Sequence, residues 1–162
     1  MKSALILAAL LSVATTAPAL AQDPGQINRV RGGASCAGCN LFQADFAGME
    51  RSGLNLTGAR LRQADLSLVT MNRTRFANAD LRDVEAFGGV FSGSNFTGAN
   101  LTNASFVGTY LEGASFSGAT LAGTNFSGAS LARATGLTQA RLNTACGDDA
   151  TVLPRGLRIR AC

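Results

Sequence analysis

The chain has no histidine and no tryptophan, and its only lysine is Lys2. Without histidine there is no imidazole general base, no Ser/His/Asp set and no imidazole metal ligand. No glycine-rich phosphate loop opens a helical stretch, so the usual nucleotide cradle is missing as well. Long hydrophobic runs are scarce. The apolar stretch Ala4 to Ala14 is too short to span a bilayer. These absences point away from an enzyme, and no cofactor is expected.

The short apolar stretch has another reading. Lys2 precedes it as a positive n-region, and Ala19-Leu20-Ala21 follows as an A-x-A cleavage site. Residues 1–21 are expected to be an export signal, leaving a periplasmic or secreted chain that starts at Gln22 and is not inserted in a membrane. Gln22, not cysteine, follows the site, so no lipid anchor is expected there. The remaining 141 residues carry 13 Arg against 10 acidic residues, a net charge of +3. Their length suits one domain.

What the sequence does contain is a period of five. From Cys39 to Arg133 it runs as nineteen five-residue blocks, clearest at Ser94-Asn95-Phe96-Thr97-Gly98 and Ala99-Asn100-Leu101-Thr102-Asn103. Seventeen of the nineteen third positions, Leu41 through Leu131, are Leu, Phe or Met. Five fits neither the helical period of 3.6 nor the strand period of two. A short fixed period marks a solenoid whose repeats bury their apolar faces on their neighbours. The first position is often Ala, so each block points one small and one large side chain inward and the residue between them outward, as a short strand does. Gly or Asn commonly fills the fifth position, where a tight corner needs positive φ.

The blocks Ala44-Asp45-Phe46, Ala64-Asp65-Leu66, Ala79-Asp80-Leu81 and Ala99-Asn100-Leu101 resemble the A(D/N)Lxx motif of the pentapeptide-repeat family. The resemblance implies an all-β fold, a right-handed quadrilateral β-helix with four blocks per coil. Nineteen blocks then make nearly five coils and a rod roughly 23 Å long at the usual strand spacing. Residues twenty apart should stack, and they do so sensibly: Leu41, Leu61, Leu81, Leu101 and Leu121 form one column, and Leu56, Phe76, Phe96 and Phe116 another. Two blocks break the pattern. Arg51 occupies a large apolar slot, to leave the interior or pair with Glu50. Ala86 leaves a gap, for which Phe87 is expected to rotate inward through a local bulge; the alternative is Phe87 exposed as a contact point.

The flanks divide into a flexible lead-in, 22–38, and a cap, 134–162. The open edge of the first coil is to be covered by residues 22–35 or by a second copy. Thr138 to Ala145 reads as a short helix with Thr138 as N-cap, Leu137 and Leu142 facing the last coil, and Gly147 near its stop. This terminal unit is similar to the tail of some exported bacterial pentapeptide-repeat proteins. Cys36 and Cys39 admit three readings: a local disulfide or buried pair, a redox-active CxxC, or a haem attachment, the last opposed by Asn40 where histidine is needed. On the rod that the resemblance implies, Cys36 and Cys39 lie at one end and Cys146 and Cys162 at the other. The expected bridges are therefore Cys146–Cys162 and, second, Cys36–Cys39, with no shared four-Cys zinc site.

The outward acids Asp45, Asp65 and Glu85 should stack, and the Asp or Asn of each block should bond turn backbone. Three functions compete. The favoured one is a non-enzymatic interaction module of the cell envelope, with Arg60, Arg62, Arg82 and Phe87 as the partner surface and an unknown envelope protein as partner. A DNA mimic that binds topoisomerases needs a strongly negative rod, and +3 opposes it. A redox protein using Cys36 and Cys39 lacks the activating helix N-terminus. No nucleic-acid partner is expected.

Overall fold

A computed structural model describes residues 22–162. The export signal expected at 1–21 lies outside the described residues. From Asn40 to Ser115, every fifth residue makes a parallel bridge to the residue twenty positions later: Asn40 to Arg60, Asp45 to Asp65, Glu50 to Thr70, Asn55 to Arg75. Twenty residues therefore close one coil, and four blocks form its four sides. Face 1 presents Asn40, Arg60, Asp80, Asn100 and Thr120; face 2 presents Asp45, Asp65, Glu85, Ser105 and Asn125. Face 3 presents Glu50, Thr70, Val90, Tyr110 and Ser130; face 4 presents Asn55, Arg75, Asn95, Ser115 and Thr135. Each block contributes a single bridging residue, not a three-residue strand, because the corners begin immediately on either side.

The coils are joined by backbone bonds, most of them between 2.8 and 3.0 Å. Leu41 N–H donates to Arg60 O at 2.8 Å, and Arg60 N–H donates back to Cys39 O at 2.8 Å. At the corners the fifth residue holds positive φ, 65° at Gly58 and 67° at Gly98, where glycine has no Cβ to clash. Leu68 and Arg73 hold the same region at 57° and 53°, at a cost that glycine would not incur. The Asp or Asn before the large residue does bond the turn: Asp65 Oδ1 accepts Ser67 N–H at 2.8 Å, and Asn95 Oδ1 accepts Thr97 N–H at 2.8 Å.

Inside, the large residues stack in columns. Phe76, Phe96 and Phe116 lie ring on ring, with centroids 5.0 and 5.2 Å apart and planes within 7°. Each such pair adds about 0.5–1.5 kcal/mol beyond area burial. Polar residues in the small slots bond inward-facing carbonyls: Ser94 Oγ donates to Met71 O at 2.9 Å and Thr124 Oγ1 to Leu101 O at 2.8 Å. Among the described residues, Thr74 Oγ1 is a buried side-chain oxygen with no partner.

The gap at Ala86 is solved differently from the expectation. Phe87 does not rotate inward; it is 56% exposed, while Ala86 is fully buried. Phe91 supplies the missing volume. A Cβ on Gly89 would lie 2.6 Å from Phe91 Cε2 and 3.1 Å from Ala86 O, so the ring leans across a glycine toward the Ala86 side. It reaches Phe106, of the same column as Ala86, at 5.8 Å. Arg51 leaves the interior, is exposed, and donates to Glu50 O at 2.8 Å.

Both ends are covered. The lead-in is not a flexible segment: Pro24–Arg31 form helix α1, with Asp23 as N-cap and Pro24 at its start. Ile27 and Val30 are buried against the first coil. Gln26 Oε1 accepts Asn40 N–H at 2.6 Å and Ser35 Oγ accepts Asn55 N–H at 2.9 Å, pairing donors that have no coil beneath them. Of the two coverings expected for the first coil's edge, residues 22–35 supply one among the described residues. At the other end the expected helix is shorter: α2 is Gln139–Leu142, capped by Thr138 and ending at Asn143 rather than near Gly147. Leu142 is buried and Leu137 half-buried on the core. Beyond α2 the chain continues the ladder, with Cys146 bridging Asn125 and Val152 bridging Ser130.

Cys36 is bonded to Cys39 and Cys146 to Cys162, with Cα atoms 5.5 and 4.8 Å apart. The second bridge closes the tail onto the last coil and is worth about 3 kcal/mol for a loop of this size. Intact mass should rise by the hydrogens of two disulfides on denaturing reduction; material that already carries four free thiols when purified without reductant contradicts these bridges. Ala86→Leu should destabilise by about 1–3 kcal/mol, because Phe91 already occupies the space. Ala86→Leu with Phe91→Leu should recover part of that loss in a thermal melt; a stabilising Ala86→Leu contradicts the compensation.

Candidate interaction surface

The expected partner residues do not form one surface. Arg60 stands on face 1, and Arg62 and Arg82 stand at the corner between faces 1 and 2. Phe87 stands at the next corner, between faces 2 and 3. Two of the arginines are also engaged. Arg82 grips Asp80 with two bonds of 2.7 and 2.6 Å, and Arg62 Nε pairs with Asp83 Oδ2 at 3.2 Å. The Arg82 hydrogen bond holds the Asp80 carboxyl below its ordinary value of 3.8, against the opposing pull of partial burial. Half-exposed pairs of this kind contribute little to stability. The Cys36–Cys39 bridge is buried, at 2% and 9% exposure, which closes it to attack by a protein thiol.

The structure gathers a different set around Phe87. Four large hydrophobic side chains are exposed among the described residues: Leu68 at 62%, Phe87 at 56%, Tyr110 at 58% and Val152 at 49%. All four lie on one side of the rod. Leu68 and Phe87 hold the corner that leads into face 3. Tyr110 is on face 3, directly above Val90, and Val152 continues the same column beyond Ser130. Val107, half-buried, sits above Phe87 at the same corner. By contrast, within the repeats the bridging residues of faces 1, 2 and 4, Asn40 through Thr135, are all polar or charged.

The rims of this apolar side differ in charge. Face 2 carries Asp45, Asp65 and Glu85, none in an ion pair among the described residues. The corner between faces 3 and 4 carries Arg73, and face 4 carries Arg75, also without acidic partners. A hollow of about 370 Å³ lies at that corner, lined by Asn72, Arg73, Ser92 and Gly93. Reading the sequence missed Leu68, Val90, Tyr110 and Val152. The signal was present in the outward slot of every fourth block, where Thr70, Val90 and Tyr110 replace the usual Asp or Asn.

Family comparison finds pentapeptide repeats (9 copies) at residues 91–135 and pentapeptide repeats (8 copies) at residues 52–85. No curated protein sequence matches the chain. Among solved structures, the chain is similar to a pentapeptide repeat protein from the cyanobacterium Cyanothece 51142, at 22% identity over 80% of this chain and 97% of that one, with a TM-score of 0.40. It is similar to a pentapeptide repeat protein of the Arabidopsis thaliana thylakoid lumen, at 28% identity over 65% and 73% of the two chains, with a TM-score of 0.41. It is also similar to QnrB1, described as a plasmid-mediated fluoroquinolone resistance protein, at 22% identity over 74% of each chain, with a TM-score of 0.40.

The Arg82–Asp80 clasp gives a pH prediction. Because the folded carboxyl is lowered, its contribution is complete above the ordinary value of 3.8 and is lost as pH falls through the lower folded value. In Arg82→Ala, carboxyl carbon NMR should show the Asp80 titration moving up toward 3.8. An unmoved midpoint removes Arg82 as the cause.

Proposed function

Because the chain belongs to the pentapeptide-repeat family, we propose that it is a non-enzymatic, exported protein-interaction module that engages its partner through face 3. The observation that carries this reading is the segregation of exposed apolar side chains. Leu68, Phe87, Tyr110 and Val152 share one side of a rod whose other faces present polar residues. Exposed apolar side chains gathered on one side mark contact sites, whereas scattered ones need no explanation. A coil held at every residue by its neighbours also keeps this side flat and rigid, so little conformational entropy is lost on binding.

Export draws support from two directions. The n-region, apolar stretch and A-x-A site of residues 1–21 have the order of a cleavable leader. All four cysteines are paired, as suits an oxidising compartment. The coil is taken to run right-handed, as the family resemblance implies.

Photo-crosslinking in the cells that export the protein tests the proposal. A photoreactive phenylalanine analogue at Tyr110 should give a discrete protein adduct in the envelope fraction. The same analogue at Asn95, on face 4, should give none. Equal labelling at both positions, or adducts from face 4 alone, overturns the assignment of face 3.

A further inference from the structure

We propose that the partner of face 3 is a second copy of this chain, packed side by side with its rod parallel and the two-fold axis running along the rods. This rests on the preceding reading of face 3 as the contact side, and it adds the occupant and its orientation. Four observations lead there.

The first is shape. Phe87 projects from the corner on one edge of face 3, and the hollow lined by Asn72, Arg73, Ser92 and Gly93 opens at the corner on the other edge. The hollow spans two coils, Asn72 and Arg73 on one and Ser92 and Gly93 on the next, and Phe87 stands at the height of the second. When two flat faces meet, a two-fold axis along the rods preserves height and exchanges the edges. Each Phe87 then meets the partner's hollow, and each hollow receives the partner's Phe87. This is the reciprocal contact of an isologous dimer, closed at two copies.

The second is charge. The same exchange carries the acidic edge of one copy onto the basic edge of the other. Arg73 leans up over Gly93, its Cγ 3.4 Å from where a Cβ would stand, which brings it to the coil of Glu85. Glu85 makes no side-chain hydrogen bond or ion pair among the described residues, and Arg73 has no ion pair there. Across the interface each supplies the other's counter-charge. Antiparallel rods do the reverse, setting acids against acids and Phe87 against Phe87, and like charges across an interface are costly.

The third is the ends. α1 buries Ile27 and Val30 on the first coil, and the tail is tied down by Cys146–Cys162. Segments of the chain itself thus occupy the places where a second rod would add a coil, which leaves the sides as the exposed ladders. The fourth is area, which sets the strength of the contact. Five coil spacings of about 4.8 Å by a side about 10 Å wide give roughly 240 Å² per copy, about 480 Å² in total. That falls short of the 1,200 Å² or so of a stable complex and fits a weak, reversible one. Arg73 over the Phe87 ring adds a cation–π contact at the same point.

Sedimentation equilibrium of the protein recovered from cells expressing the full chain tests this. The mean mass should climb from one copy toward two, and no further, as concentration rises from about 10 µM to about 1 mM, the range of a weak interface. Glu85→Arg alone and Arg73→Glu alone should each weaken association at least fivefold. The double variant should regain most of it, because both pairs are rebuilt in reverse. Phe87→Asp, an exposed change that the fold tolerates, should abolish the dimer while leaving the circular dichroism melt unchanged. A chain that stays monomeric throughout overturns the second copy, but leaves face 3 open to a different protein, which the crosslink at Tyr110 would identify by its mass. A dimer that Glu85→Arg strengthens overturns the parallel orientation. Growth beyond two copies overturns the closed two-fold.

Discussion

The bond from each coil to the next, such as Leu41 N–H to Arg60 O at 2.8 Å, is the constraint on which everything else depends. With its companion from Arg60 N–H to Cys39 O it bridges Asn40 to Arg60, residue i to residue i+20, and it tolerates no slip, because a shift of one residue would turn the large inward side chains out. The columns follow from it. Phe96 can stack between Phe76 and Phe116 only because the backbone has placed them one above another. The same register sorts the surface. A substitution in one block stands beside a substitution twenty residues away, so four narrow columns of outward residues diverge independently. On three sides the columns of the repeats are polar; on the fourth stand Val90, Tyr110 and Val152.

Most of this rod was legible because its rules are local and repeated. The five-residue period, the large third position and the Gly or Asn corner recur in one frame, so any single block is read with support from eighteen others. Failures came where the frame is broken by a three-dimensional compromise. Ala86 shows a gap in sequence, but nothing local says that Gly89 yields its Cβ space to Phe91 of the next block. Helix α1 was hidden for a related reason. Asp23 and Pro24 are ordinary helix-start residues, yet eight residues with two apolar positions make no stable helix alone. It forms because the first coil offers Ile27 and Val30 a surface.

The interaction surface was half legible. Phe87 stood out as a misfit, and arginines drew attention by number. The structure separates the two, since Arg62 and Arg82 serve local carboxylates at the neighbouring corner, between faces 1 and 2. What supports the proposed contact side is not any one residue but agreement among columns: apolar groups outward on face 3, carboxylates without ion pairs on one rim and guanidiniums without ion pairs on the other. Positive φ at Leu68 fits this picture. A leucine held in a conformation suited to glycine, and 62% exposed, contributes nothing evident to the rod itself.

The central claim is that face 3 and its two bordering corners, and not the rod's ends or the corner of Arg62 and Arg82, make the contacts. Amide NMR of the isotopically labelled protein as its concentration is raised tests that claim most directly. The account predicts concentration-dependent shifts at Thr70, Val90, Tyr110 and the corner residues Phe87 and Gly93, with Asn95, Ser115 and Asn100 unmoved. Shifts confined to α1 and the C-terminal tail, or spread evenly over all four faces, would contradict it.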